Sequence, residues 1–92
     1  MKRAKQPTHL DLMAFAVAVE TSLAARALVR ADIARMGRAL AAEVYGPRGV
    51  MTLREAARRS GLSAGYLSAV ANGRSVISPA AYVRVAELVR EQ

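Results

Sequence analysis

The feature that most constrains the fold is a stretch in the second half of the chain, residues 52–74, with the sequence TLREAARRSGLSAGYLSAVANGR. Thr52 can cap a helix through its hydroxyl, and Glu55, three residues later, completes the pattern of a capping box. Gly61 stands where a left-handed residue would end that helix, because glycine takes positive φ without steric cost. The stretch therefore predicts one helix over residues 53–60, and a second helix after a short turn.

The second helix is predicted over residues 64–72. Ser63 precedes it as an N-cap, and Asn72-Gly73 follows it as a stop signal. Because the turn is too short for the two helices to lie side by side, they should cross steeply, as in a helix-turn-helix. Ala57 is expected at the crossing, where a larger side chain would push the helices apart.

Several positions of this stretch have a specific spacing: Ala56, Ala57, Gly61, Leu67, Val70 and the Asn72-Gly73-Arg74 exit. With them, residues 32–89 resemble the helix-turn-helix domain of Cro and phage repressors, often called the XRE family. The resemblance implies an all-α fold, a compact bundle of roughly five to six helices of the lambda-repressor type. It also implies binding to double-stranded DNA.

In the family that the chain resembles, the second helix enters the major groove and the first sets its N-terminus against the phosphate backbone. Carried over to this chain, the base-facing positions are Ser63, Ala64, Gly65, Tyr66, Ser68 and Ala69. The phosphate-contacting positions are Thr52, Leu53, Arg54, Arg58, Asn72 and Arg74. Most of the base-facing side chains are small, and none makes the bidentate contacts that discriminate bases. Recognition should therefore depend on hydroxyl groups, methyl contacts and DNA shape.

The charge of the chain suits a polyanionic partner. The 92 residues carry a formal net charge of +7, and five arginines but only one glutamate fall between residues 48 and 74. Such a cluster is either a solvated helix face or a phosphate-binding surface, and its coincidence with the predicted helix pair favours phosphate contact. Tyr66 also has two interpretations, since it either contacts the DNA backbone or packs half-exposed.

Composition argues against several other classes of protein. The chain has no cysteine, which excludes disulfides and thiolate metal sites and favours a cytoplasmic protein. The apolar stretch of residues 12–19 is far shorter than the about 20 residues that a membrane span needs. A single histidine, no phosphate-binding glycine loop and no plausible carboxylate pair argue against an enzyme. No metal, cofactor or small-molecule ligand is indicated.

The first part of the chain is predicted to consist of a basic arm, residues 1–7, and a helical extension, residues 8–31. The arm either reaches DNA or is only a charged terminus. Thr8 is a candidate N-cap, so a helix should begin near His9 and run to residue 20. A single helix over residues 8–44 would be about 55 Å long, which exceeds the width of so small a domain.

A helix break is therefore expected at residues 21–22 or 31–32, with a second helix of uncertain start ending near residue 31. A third helix is predicted over residues 32–45, within a domain that covers residues 32–92. The last helix should start at Ser78-Pro79, because serine is a good N-cap and proline suits the first helical position.

The extension also carries an apolar stripe: Leu12, Phe15, Val19 and Leu23. Because a domain over residues 32–92 does not need this helix, we expect the stripe to pair with its copy in a homodimer. The dimer would place two recognition helices about 34 Å apart on a palindromic operator. The alternative is that the stripe closes the chain's own core.

The leading interpretation is a sequence-specific, double-stranded-DNA-binding transcriptional regulator, a repressor that acts by occupying a promoter as a dimer. The alternative is a protein-interaction or assembly module that uses the same fold without touching DNA. Arg54, Arg58 and Arg74 favour the first interpretation, because an assembly module has no need of them.

Overall fold

The computed structural model describes residues 6–21 and 30–90, which form five α-helices and no strand. The helices are α1 (His9–Thr21), α2 (Arg30–Tyr45), α3 (Leu53–Ser60), α4 (Ala64–Ala71) and α5 (Pro79–Arg90). The all-α prediction is confirmed. Residues 1–5 of the predicted arm, most of the predicted second helix and Leu23 of the stripe lie outside the described residues.

The starts of α1 and α5 follow local signals in the sequence. Thr8 Oγ1 accepts a hydrogen bond from the Asp11 amide at 3.1 Å, and the Asp11 carboxylate accepts one from the Thr8 amide at 2.9 Å. These bonds hold the pKa of the Asp11 carboxyl below its usual value, with a smaller contribution from the charge of Arg35. At α5, Ser78 Oγ accepts from the Ala81 amide at 3.2 Å, as the predicted N-cap should.

Helices α2 and α5 form the middle of the fold. They pack against each other, and among the five described helices α1 contacts only these two. The α3–α4 pair packs against α2 and α5 as well, and neither of its helices contacts α1. The two central helices therefore separate α1 from the α3–α4 pair.

The apolar stripe of α1 lies inside the chain's own core. Leu12 is 1% exposed and Val19 is 0% exposed, while the half-buried Phe15 ring meets the edge of the Tyr82 ring at a centroid distance of 5.1 Å. This packing corrects the expectation that the stripe forms a dimer surface. Leu12 and Phe15 pack against the core cluster, and Val19 is buried, so these side chains would reach a second copy only if α1 moved.

Two buried tyrosine hydroxyls connect the layers. Tyr45 of α2 donates to the Leu67 carbonyl of α4 at 2.7 Å, and Tyr82 of α5 donates to the Leu12 carbonyl of α1 at 2.8 Å. Burial raises the pKa of Tyr45 to about 12. Burial also raises the pKa of Tyr82 well above its usual value. Both hydroxyls therefore stay protonated in the folded chain, where they act as donors.

We expect the fold to lose stability in alkali because of these two tyrosines. In the unfolded chain they ionise at about pH 10. Since the folded state raises their pKa, their contribution is complete below that pH and is lost as the pH rises through about 12. Urea unfolding followed by circular dichroism between about pH 9 and about pH 12 measures this loss.

The matched variant for the alkaline prediction replaces both Tyr45 and Tyr82 by phenylalanine. It should be less stable at neutral pH, because two buried hydrogen bonds are lost at a cost of about 1 kcal/mol each. Its stability should then change much less between neutral and alkaline pH. An equal alkaline loss in the variant and the parent protein would contradict the prediction.

Candidate nucleic-acid interface

The N-terminus of α3 is capped as predicted, but only one half of the capping box forms. Thr52 Oγ1 accepts a hydrogen bond from the Glu55 amide at 3.1 Å. The Glu55 carboxylate instead accepts from Arg58, at 3.2 Å from Nε and 2.5 Å from Nη2. These bonds hold the pKa of Glu55 below its usual value. The second half of the predicted box is therefore wrong, because a guanidinium one turn away is the stronger partner.

The turn between α3 and α4 consists of residues 61–63. Gly61 has φ +75°, and its amide donates to the Ala57 carbonyl at 3.0 Å, so it closes α3 in the left-handed conformation that was predicted. Ala56 is fully buried, whereas Ala57 is only partly buried. Ala56 is therefore more deeply buried than Ala57, the residue at which tight packing was expected.

One face of α4 is held in the core and the opposite face is open. Leu67 and Val70 are buried, and Ser63 caps the helix by accepting from the Tyr66 amide at 3.1 Å. The helix ends at Ala71, one residue earlier than predicted, with Asn72 as its C-cap. Of the positions predicted to face the bases, Ser63, Ala64 and Gly65 are exposed, and Ser68 and Ala69 are half-exposed.

Gly65 has no role inside the described part of the chain that requires a glycine. A Cβ at this position would have no other atom within 4 Å, and the residue does not have positive φ. A glycine within a helix costs about 0.5–1 kcal/mol relative to alanine. The remaining common use of glycine is to let the backbone approach a ligand closely. Gly65 therefore leaves the backbone on the open face of α4 exposed, with no side chain over it.

Tyr66 takes the packing role of its two alternatives. Its side chain is partly buried against the core, and its hydroxyl accepts a hydrogen bond from the Ser78 amide at 2.9 Å. The bond ties α4 to the start of α5. The predicted base-facing role of Tyr66 is untested by these contacts, because the side chain is only partly buried.

The predicted phosphate contacts are not equally available. Arg54 and Arg74 are exposed and have no salt bridge with any described residue. Arg58 is exposed but paired with Glu55, so it would have to exchange that carboxylate for a phosphate. Asn72 donates to Ser68 Oγ at 3.4 Å, a weak bond that leaves the amide free to rearrange.

Two arginines of α2, which sequence reasoning did not assign to the site, lie beside the end of α4. Arg35 and Arg38 are exposed, and the Arg38 guanidinium carbon lies 3.3 Å from the position that a Cβ of Gly73 would take. They are more than thirty residues away from this turn in sequence. Their spacing of three along a helix was the available signal, but it does not say which neighbour the face meets.

The described residues contain no group of three or more side chains that could hold a metal ion. None of their helices is long and apolar enough to cross a membrane. His9 pairs with the Glu43 carboxylate at the surface between α1 and α2. This histidine thus has a structural partner, and its neighbourhood offers no ligand set.

Comparison with protein-family models, with curated proteins and with solved structures finds no match for this chain. What the α3–α4 surface does has to be inferred from its geometry, its charge and the sequence pattern that produces it.

Proposed function

We propose that this chain is a cytoplasmic, sequence-specific DNA-binding regulator of the Cro and phage-repressor type, which represses transcription by occupying a promoter. The observation that carries the proposal is the open face of α4, with exposed Gly65 in its first turn. Exposed Arg54 and Arg74, which have no salt bridge to a described residue, lie on either side of α4 in sequence. In this proposal α3 and α4 are the two helices of a helix-turn-helix, joined by residues 61–63.

The small side chains of α4 suit a close fit in the major groove, which is about 12 Å wide and admits one helix. Ser63 Oγ already accepts from the Tyr66 amide, so its hydroxyl proton remains to donate to a base or phosphate oxygen. The Ala64 methyl is exposed and can contact a thymine methyl. Recognition of this kind depends on how closely the helix backbone approaches the bases.

Phosphate contacts would then supply much of the affinity. The first turn of α3 presents the Leu53 and Arg54 amides, which have no acceptor within the helix. The exposed Arg54 guanidinium extends from the same turn, and Arg74 follows α4. Because a guanidinium binds phosphate through two parallel hydrogen bonds, these arginines are the strongest candidates for phosphate binding.

A palindromic operator requires two copies whose α4 helices face one duplex. The central helices α2 and α5 separate α1 from the α3–α4 pair, and the Leu12 and Val19 side chains of α1 are buried. We therefore place the contact of the proposed homodimer outside α1. The dimer contact expected at Leu12, Phe15 and Val19 is therefore not part of this proposal.

A second candidate function is a protein-interaction module, and the outer face of α1 favours it. Leu10 is 78% exposed and Val17 is 49% exposed, on the helix side opposite the buried stripe. Large apolar side chains exposed along one helix can mark a contact with another protein. This function would make no use of Arg54 or Arg74.

Selection from a pool of random genomic duplexes over a salt series tests the DNA-binding proposal. A protein that neutralises phosphates loses affinity as salt rises, with a slope of about −0.9 in log K against log salt per contact. Sequencing of the retained pool should reveal one enriched palindrome. Binding without salt dependence and without enrichment would contradict the proposal and leave the interaction module.

Arg54→Gln is the variant to pair with that selection. It should weaken binding to all duplexes alike and reduce the salt slope by about 1, because it removes a phosphate contact and no base contact. Arg90→Gln is the matched control, with the same change of charge at the far end of α5, where Arg90 lies 4.0 Å from Glu20. Equal losses in both variants would indicate a general effect of net charge.

A further inference from the structure

An open groove with a volume of about 660 Å³ runs along α2 beside the end of α4. It is lined by four alanines of α2, by Ala71 of α4, and by Gln6, Arg35 and Arg38. None of the described residues that line it is acidic. Its walls are therefore small and apolar, and both of its charges are positive.

The groove continues the surface formed by the end of α4. The Arg38 guanidinium lies against Gly73, which has φ +75° and directly precedes Arg74. Since α4 has eight residues and is about 12 Å long, this end lies about one helix length from Gly65. A duplex seated on the open face of α4 would pass the mouth of the groove.

Arg35 and Arg38 differ in their interactions with carboxylates of the chain itself. Arg38 has no salt bridge with any described residue. Arg35 is attracted to Asp11, whose carboxylate is bound chiefly by Thr8. Within the described ranges, Arg38 thus has no competing carboxylate, whereas the charge of Arg35 is partly neutralised by Asp11.

We propose that this groove holds the sugar-phosphate backbone of the bound DNA beyond the α3–α4 pair, with Arg38 as the principal phosphate contact and Arg35 as the second. The proposal rests on the DNA-binding function above and extends its footprint to α2. Guanidinium groups match phosphate oxygens in charge and geometry. The alanine walls leave room for deoxyribose. An acidic peptide would also suit the charge, but continuity with the open face of α4 favours DNA.

The test measures duplex affinity over a salt series for the full chain and two groove variants. Arg38→Gln should weaken binding about tenfold, and should reduce the salt slope by about 1 without changing the preferred sequence. Ala34→Glu places a carboxylate in the groove and should weaken binding by a similar factor while removing no existing contact. Ethylation interference should lose a phosphate at one edge of the footprint with Arg38→Gln. Arg90→Gln is again the matched control.

The outcomes separate this proposal from the DNA-binding function itself. If Arg54→Gln weakens binding while Arg38→Gln and Ala34→Glu bind like Arg90→Gln, DNA binding stands and the groove proposal is overturned. An acidic peptide would then be the occupant to consider. If the unmodified chain shows no salt-dependent binding to any duplex, the DNA-binding function fails and the groove proposal fails with it. Thermal unfolding by circular dichroism shows whether each variant is folded.

Discussion

A Gly65→Ala variant is expected to be more stable than the parent protein and to bind DNA more weakly. The added methyl group meets no other atom of the chain, and the residue does not have positive φ. Replacing glycine by alanine at such a helical position should raise the free energy of unfolding by about 0.5–1 kcal/mol. The gain should be visible in urea unfolding as a higher midpoint with an unchanged slope.

In the proposed complex, the same methyl group would stand between α4 and the DNA. If the helix backbone approaches the bases closely, even one added carbon forces it outward and lengthens every contact that Ser63 and Ala64 make. We expect a loss of about 1–3 kcal/mol in binding to the preferred operator, which is the scale of one mismatched base pair. Non-specific binding at low salt should change little, because the arginines remain.

Gly37→Ala is the control for this prediction. It makes the same chemical change in α2, where the new Cβ would collide with Ile77 Cγ2, so it should lose stability. Opposite signs at the two positions would show that Gly65 is not required by the fold. If Gly65→Ala gains stability and binds the operator as tightly as the parent protein, the open face of α4 does not approach DNA closely.

The second large effect is expected in α1, where Leu12→Ala should destabilise the fold by about 2–5 kcal/mol. Leu12 is 1% exposed, and its carbonyl accepts the Tyr82 hydroxyl. Since a domain is stable by only about 5–15 kcal/mol, this change removes a large part of the total. Leu10→Ala, two residues away on the exposed side of the same helix, should change stability by less than about 0.5 kcal/mol.

Protein concentration distinguishes a core residue from a dimer contact in this experiment. If Leu12 belongs to the core of a single chain, the loss in Leu12→Ala should be the same at every concentration. A dimer contact would instead make the unfolding midpoint rise with concentration. Concentration dependence in the parent protein that disappears in Leu12→Ala would restore the stripe as a dimer surface.

Local signals predicted several helix boundaries correctly. Thr52, Gly61 and Ser63 delimit α3 and the start of α4 as expected, because a cap is a contact within a few residues of the same chain segment. Glu55 shows the limit even of local reasoning. Its carboxylate had two possible partners within three residues, the Thr52 amide and the Arg58 guanidinium. The charged guanidinium is the one that binds it.

Contacts between distant segments could not be predicted in the same way. Periodicity identified the apolar face of α1 but not what would cover it, and α5 covers it through Tyr82 and its neighbours. Periodicity did not show whether Tyr66 faces solvent or packs on the core. Its hydrogen bond with the Ser78 amide depends on where the start of α5 lies relative to α4. The position of Arg38 beside Gly73 could not be predicted either, because it depends on how α2 packs against α4.

By itself, the sequence determined that this chain is helical, where α3 and α5 begin, and that a basic segment coincides with two short helices. These features depend on hydrogen bonds within a turn and on the period of apolar residues, which are properties of neighbouring residues. Only the tertiary structure decided that α1 completes the core, that nothing in the described chain covers Gly65, and that Arg38 lies beside the end of α4. Those facts depend on which helix faces pack together, and that packing is determined jointly by all the residues of the core.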